Sequence, residues 1–296
     1  MITKVWCVYR SRGIAGILAE VGYRLTAKRA KCFPLCKELL SEGVGLEIGG
    51  PSGVFRGLGI LPIYRLVQSL DNCNFSNQTV WDGTIAKGMT FQYDARRQPG
   101  RQYMCEAADL KPIPDRSYDF IISSHAIEHM ANPLRALSEW IRVLKDEGIL
   151  VLVVPHKDAT FDHRRPVTSL DHLLEDLHNG TNENDLTHLP EILELHDLGR
   201  DHLAGTPEEF KRRSEKNAEN RCLHHHVFDA KLVVKILMQM NLQILAMECM
   251  WPLHIIAIAR KVPPGRLSNN EAFADDRAEF LYQSPFASDR PKPKVV

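Results

Sequence analysis

The stretch that most limits how this chain can fold runs from Tyr118 to Val154. It reads as strand, capped helix and strand without interruption. Tyr118 to Ser123 (YDFIIS) is a short apolar run. Asn132 then offers a side-chain cap and Pro133 a preset first turn. Leu134, Leu137, Ile141 and Leu144 recur at spacings of three and four, which puts them on one face of a helix over residues 133 to 145, closed by Gly148. Ile149 to Val154 (ILVLVV) follows with no polar alternation, as in a strand buried on both faces. Such a strand belongs to a parallel sheet covered by helices.

The flanking sequence extends the pattern. Val44 to Gly50, Tyr64 to Leu70 and Tyr103 to Glu106 read as earlier strands. Ala230 to Met240 reads as a helix. Leu242 to Met247 and His254 to Arg260 read as an antiparallel pair turning at Trp251-Pro252. The expected fold is α/β: a doubly wound, Rossmann-like sheet of seven strands with the last antiparallel. The expected organisation is a helical segment over 1–43, a core over 44–156, an insertion over 157–226, the rest of the core over 227–262 and a flexible tail over 263–296. Within the first segment, Leu18, Val21 and Leu25 form a stripe, and residues 8 to 31 suit a basic amphipathic helix. The insertion is too long for a plain loop and holds nine of the thirteen histidines.

Composition narrows function. Thirty-seven basic residues balance 37 acidic ones, which gives no general nucleic-acid footprint. The seven cysteines contain no CxxC pair, so reduced thiols and a cytoplasmic setting are expected. Neither a signal peptide nor a bilayer-spanning run is expected.

Residues 46 to 55 (LEIGGPSGVF) are a strand running into a glycine loop. Gly49, Gly50 and Gly53, with Ser52 between them, let backbone approach a ligand closely. Glu47 lies near the strand end, where its carboxylate can hold a cationic group. Asp71 follows 24 residues later, at the end of the second candidate strand, where an acidic side chain can accept both hydroxyls of a ribose.

LEIGG followed by EAADLKPIPDRSYDFIISSHAIEHMANPLRALSEWIRVLKDEGILVLVVP resembles the core of class I S-adenosylmethionine (SAM) dependent methyltransferases. It is similar above all to the type 11 subgroup with ubiquinone-pathway, sugar and natural-product O-methyltransferases. The resemblance covers residues 44 to 156 and, more faintly, 226 to 261. It implies SAM as cofactor. Glu47 and the Gly49–Gly53 loop would hold the methionine end and Asp71 the ribose. Glu106 and Ala107 would meet adenine, and Ser123 and Ser124 would line the floor. The loop departs from the family at Pro51, which lacks an N–H.

His125, Glu128 and His129 follow the fourth strand at i, i+3 and i+4, one face of a helical turn. His129 matches the candidate base of related sugar methyltransferases. The trio also resembles the E-x-x-E-H divalent-metal set of related O-methyltransferases, with His125 in place of the first glutamate. Three readings stay open: general base, metal ligand, or structural group. One or two of the adjacent His224, His225 and His226 could face the pocket, and His226 is taken as the further candidate. Asp162-His163-Arg164-Arg165 could bind an anionic group or form a salt-bridge network. The function expected is methylation of a small-molecule acceptor, most simply O-methylation of a sugar-like hydroxyl. The alternatives are N- or C-methylation and a non-catalytic SAM-binding or partner-binding protein. The insertion is expected to be a largely helical lid, with Leu170, Leu173, Leu174 and Leu177 burying one helix face.

Overall fold

A computed structural model describes residues 29–79, 83–201 and 203–290. The N-terminal stripe of Leu18, Val21 and Leu25, and the basic segment up to residue 28, lie outside the described residues. The described part begins ahead of a short helix, Phe33–Leu40 (α1), as the end of that segment suggested.

The strands are Val44–Ile48 (β1), Ser69–Asn74 (β2), Gln78–Thr79 (β3), Gly83–Thr84 (β4), Gly88–Phe91 (β5), Gly100–Met104 (β6), Tyr118–Ser124 (β7), Leu144–Pro155 (β8), Leu242–Met250 (β9) and His254–Lys261 (β10). Eight of them form one sheet in the order β5-β6-β2-β1-β7-β8-β10-β9, while β3 and β4 make a separate ribbon. β6, β2, β1, β7 and β8 are mutually parallel; β10 and β9 run antiparallel at one edge. The sheet therefore has one strand more than expected. The extra one, β5, pairs antiparallel with β6 at the other edge. It arises because residues 75 to 99 cross between parallel strands through a ribbon and an edge strand rather than a helix.

Chain order reverses between β1 and β7, so the crevice for a ligand opens at their carboxyl ends. The β8 run explains itself. Leu150, Leu152 and Val154 pack into one core with helices Pro133–Val143 (α2) and Ala230–Gln239 (α7); Val151 and Val153 pack into the other with α1. In α2, the Asn132 side chain accepts from the Arg135 N–H, and Pro133 opens the helix. The helix stops at Val143, short of Gly148, because buried Leu144 already pairs with Tyr118 in the sheet. Trp140 of α2 donates from Nε1 to Ala107 O at 3.0 Å, which fixes the loop after β6.

The second strand departs most from expectation. Ile63, Tyr64 and Val67 are buried in a 3-10 turn and loop, and the strand is the polar SLDNCN. Asn72 and Asn74 can be buried there because Asn72 Oδ1 accepts from the side-chain amides of Asn74 and Gln102, at 2.8 and 2.7 Å.

The insertion folds as Leu170–Asn179 (α3), Leu189–Leu195 (α4), Pro207–Ser214 (α5) and Asn217–Asn220 (α6), joined by long loops. It has a small core of its own around Ile192, Ala204, Phe210 and Leu223. The apolar face of α3 docks Leu173 against α2 and α7, beside the sheet, and leaves Leu177 39% exposed. It is the loops that reach the crevice. The expected flexible tail is also corrected. Short helices Glu271–Ala274 (α8) and Glu279–Gln283 (α9) lead to Phe280, Leu281 and Phe286, all buried in the main core. Asp289 Oδ1 lies 3.1 Å from His156 Nε2 with both side chains fully buried, and Ser284 donates to Asp289 Oδ2 at 2.6 Å. Ala278, Phe280, Leu281 and Phe286, with the buried Asp289 contacts, dock the segment despite its many polar residues.

Asp289→Ala should leave His156 facing an unfilled polar site. The expected loss is about 3–5 kcal/mol of unfolding free energy, the usual cost of removing one partner of a buried pair. Denaturant titration followed by circular dichroism measures it; a change below about 1 kcal/mol would mean the tail is not held by this contact.

Candidate active site

A cavity of about 550 Å³ opens at the carboxyl edge of the sheet. That is a normal size for a small-molecule site. One wall is the glycine loop. Gly49 and Gly50 take consecutive left-handed conformations, φ 78° and 77°, which side chains disfavour. A Cβ on Gly50 would also stand 2.2 Å from Glu47 Oε1. Gly49, Gly50, Ser52 and Gly53 all line the cavity.

Glu47 does not. It is 1% exposed, beneath the loop, where Tyr64 Oη donates to Oε1 and Oε2 at 2.9 and 2.8 Å and the Ser52 N–H donates to Oε1 at 3.0 Å. Burial, then the Glu47 charge, push the Tyr64 phenol well up, so it stays a donor. Glu47 therefore braces the loop from behind, because its side chain turns under the chain rather than along the strand.

Asp71 is likewise displaced. It sits three residues before the end of β2, about 10 Å along a strand. It accepts from the Arg101 N–H at 2.7 Å and the Tyr118 hydroxyl at 2.7 Å. The residue that ends β2 and lines the cavity is Asn74, followed by Phe75. The Asn74 amide nitrogen donates to Asn72 Oδ1 at 2.8 Å and Gly50 O at 3.4 Å. Its side-chain oxygen is the group left for a ligand hydroxyl.

Glu106 and Ala107 line the opposite wall. Arg221, from the insertion, reaches over them. It pairs with Glu106 at 2.5 Å and Glu183 at 2.8 Å, and its guanidinium lies 5.1 Å from the centre of the Phe75 ring. Ser124 lines the floor, but Ser123 is fully buried on the other face, as neighbours in a strand must alternate. The Ser124 Oγ is buried with no hydrogen-bond partner among the described residues.

At the floor, His125, Glu128 and His129 do converge on the cavity. His125 has φ 52° and its Nε2 meets His254 Nδ1 at 2.9 Å. Glu128 Oε1 lies 3.8 Å from His125 Nδ1 and 3.9 Å from His129 Nε2. Burial pushes the Glu128 carboxyl up to about 7. His129 Nδ1 lies 3.0 Å from Leu223 O. A carbonyl only accepts, so Nδ1 carries the proton and Nε2 the lone pair. Burial, and then His224, hold His129 well below the usual histidine range.

Of the three adjacent histidines it is His224, not His226, that faces the cavity. Extended backbone points neighbours in different directions. His225 turns to Asn217 at 2.9 Å, and His226 Nε2 to Ala131 O at 3.2 Å. His224 Nδ1 meets Asp162 at 2.6 Å, and Arg165 Nη1 donates to Asp162 at 2.9 Å. Burial disfavours charge on both, but pairing prevails. Asp162 sits at about 2, and His224 is raised. Asp162 and Arg165 are thus an internal ion pair, Arg165 being 1% exposed, rather than an anion site. Sequence reasoning missed Asn74, Phe75 and Arg221 and singled out His226 from the run that also holds His224; their places depend on where strands end and how the insertion folds back.

Residues 72–152 match the family described as a methyltransferase domain, the span from β2 to β8 that builds this floor and wall. Two solved structures to which the chain is similar are a SAM-dependent methyltransferase from Aquifex aeolicus and one from Methanosarcina mazei. The first is 14% identical with a TM-score of 0.43, covering 78% of this chain and 90% of that one. The second is 17% identical with a TM-score of 0.43, covering 77% and 97%. No curated protein matches the sequence.

Two variants separate the residue the sequence pointed to from the one that lines the cavity. Asp71→Ala should leave SAM affinity within about twofold, whereas Asn74→Ala should weaken it about tenfold, the worth of roughly one buried hydrogen bond. Calorimetric titration decides; the reverse order would return the ribose role to Asp71.

Proposed function

We propose that this protein moves the methyl group of SAM to a hydroxyl of a small acceptor held beneath the insertion, with His129 taking the hydroxyl proton. The observation that carries the reading is the His129 tautomer. Leu223 O fixes the proton on Nδ1, and Nε2 presents a lone pair at the cavity floor.

The cavity suits the cofactor. Two left-handed glycines bare the backbone on one wall, and the buried Ser124 Oγ on the floor lacks a partner among the described residues. Gly49, Gly50, Ser52 and Gly53 would hold the methionine end. Asn74, in the place expected of Asp71, would hold the ribose. Glu106 and Ala107, beside Phe75, would meet adenine. Bound SAM supplies an electrophilic methyl on a sulfonium, and in-line alignment is what the protein must add.

The chain's own residues manage the proton. When His129 Nε2 accepts it, an imidazolium forms 3.9 Å from Glu128 Oε1. An ionised Glu128 stabilises that charge; a protonated one does not. The nearby His224, raised towards its cation by Asp162, opposes it and makes the Glu128 charge more important. His125 is tied to His254 and serves as wall rather than base. The choice of a sugar or glycan precursor as acceptor rests on the family resemblance alone.

Release of S-adenosylhomocysteine across a panel of hydroxyl-bearing sugars and phenols tests the reading. On a responsive acceptor, His129→Ala should lower kcat by about 10²–10⁴, the usual worth of a general base, with little change in SAM affinity. An unchanged kcat would remove His129 from that role. The pH profile tests Glu128. Its carboxyl is raised to about 7, so kcat/KM should rise as pH passes upward through about 7, and Glu128→Gln should lose that rise. A rise persisting in the variant would assign it to another group.

A further inference from the structure

A second histidine cluster lies outside the cavity. His172 and Asp176 sit at i and i+4 on α3, on one face of the helix; His188 immediately precedes α4; His226 leads into α7. None of the four lines the methyl-transfer cavity. Each of the three histidines offers a ring nitrogen within 4.8 Å of those of the other two.

We propose that His172, Asp176, His188 and His226 form a zinc site that fastens the insertion. Spacing is the first argument. Zinc bonds of about 2.0–2.1 Å in a tetrahedron place neighbouring ligand atoms about 3.3 Å apart. His172 Nε2 lies 2.9 Å from His188 Nε2 and 3.4 Å from Asp176 Oδ2. The His226 ring lies beside them, its Nε2 3.6 Å from Asp176 Oδ2; Nε2 carries the proton that faces Ala131 O, so Nδ1 is its ligand atom.

Unmet polar demand is the second. Asp176 Oδ2 and His226 Nδ1 are both buried and make no hydrogen bond among the described residues. Buried polar atoms are seldom left so, and a cation between the carboxylate and the rings answers them. The surrounding contacts are those that orient metal ligands. The Thr181 hydroxyl donates to Asp176 Oδ1 at 2.9 Å, His172 Nδ1 faces Glu175 Oε2 at 3.9 Å, and His226 Nε2 lies 3.2 Å from Ala131 O.

Three imidazoles and one carboxylate suit a borderline ion in four-fold coordination, which favours zinc over magnesium or calcium. The His172 side chain is 35% exposed, so an ion can enter from solvent. Its effect is to close residues 172 to 226 into one unit. The Asn132 side chain, donating to Asp176 O at 2.7 Å, ties that unit to the chain just after His129.

The test uses untagged full-length protein, stripped with chelator and titrated with zinc against a chromogenic zinc chelator. One tight equivalent is expected, with a rise in melting temperature on zinc addition. Its affinity should fall about 100-fold in His188→Ala, a first-sphere loss at least as large as those seen for outer-sphere changes. His172→Asn, at the more exposed ligand, gives a second variant whose folding is checked by circular dichroism. His224→Ala controls for the other candidate cluster, Glu128, His129 and His224, and should keep the equivalent. No stoichiometric uptake, undiminished affinity in folded His172→Asn and His188→Ala, or loss in His224→Ala alone would each overturn the proposal.

Discussion

Glu47 is a carboxylate with 1% exposure at the foot of the glycine loop, and the geometry of the cavity depends on how it is answered. A buried charge without partners is untenable, so Tyr64 must bring its hydroxyl and Ser52 its N–H. Meeting that demand pulls residues 63 to 65 out of the sheet into a 3-10 turn. It also presses the carboxylate so close to Gly50 that only a glycine fits there. The loop that a cofactor approaches is thus shaped from behind. The same logic governs the next strand, where Asn72, Asn74 and Gln102 satisfy one another and reach the carbonyls of the glycine loop.

Buried ions do comparable work in the insertion. Arg165 is 1% exposed and engages Asp162, Glu191 and the carbonyls of His224 and His225. Each alone would be costly in an interior; together they fix the backbone of 224 and 225 and aim one imidazole at the cavity. Arg221 does the same at the other end, bridging Glu106 and Glu183 over Phe75. The insertion contributes to the site through charges paired within it and, at Arg221–Glu106, with the core, more than through its apolar helix face.

This explains what could be read from residues alone. The segment from Tyr118 to Pro155 and the β9–β10 pair were legible because apolar periodicity and capping residues state their own geometry. So was the convergence of His125, Glu128 and His129, because it depends on adjacent positions after one strand. β2 was not legible. SLDNCN has no apolar pattern, and its burial rests on hydrogen bonds to residues 30 positions away. That error moved the strand end from Asn74 to Leu70, and with it the apparent ribose acid. The tail misled for a related reason. Phe280, Leu281 and Phe286 are diluted by charge and proline, and only the fold shows the surface they fill. Choosing His224 over His226 needed the local backbone direction, which spacing does not carry.

The short segment from Glu128 to Asn132 carries both the chemistry and the attachment of the insertion. His129 projects from it into the cavity. The Glu128 carbonyl accepts from the His226 N–H at 3.4 Å, Ala131 O faces His226 Nε2, and the Ala131 N–H donates to Glu183. Asn132 caps α2 with its oxygen and donates to Asp176 O with its nitrogen. A shift of the insertion therefore cannot leave His129 in place, since five residues of backbone share both sets of contacts. Leu223 O, which sets the His129 tautomer, is itself part of the insertion. In this arrangement the insertion that lines the cavity also decides which nitrogen of His129 is protonated, so the cavity wall and the tautomer at its floor are set by one group of hydrogen bonds.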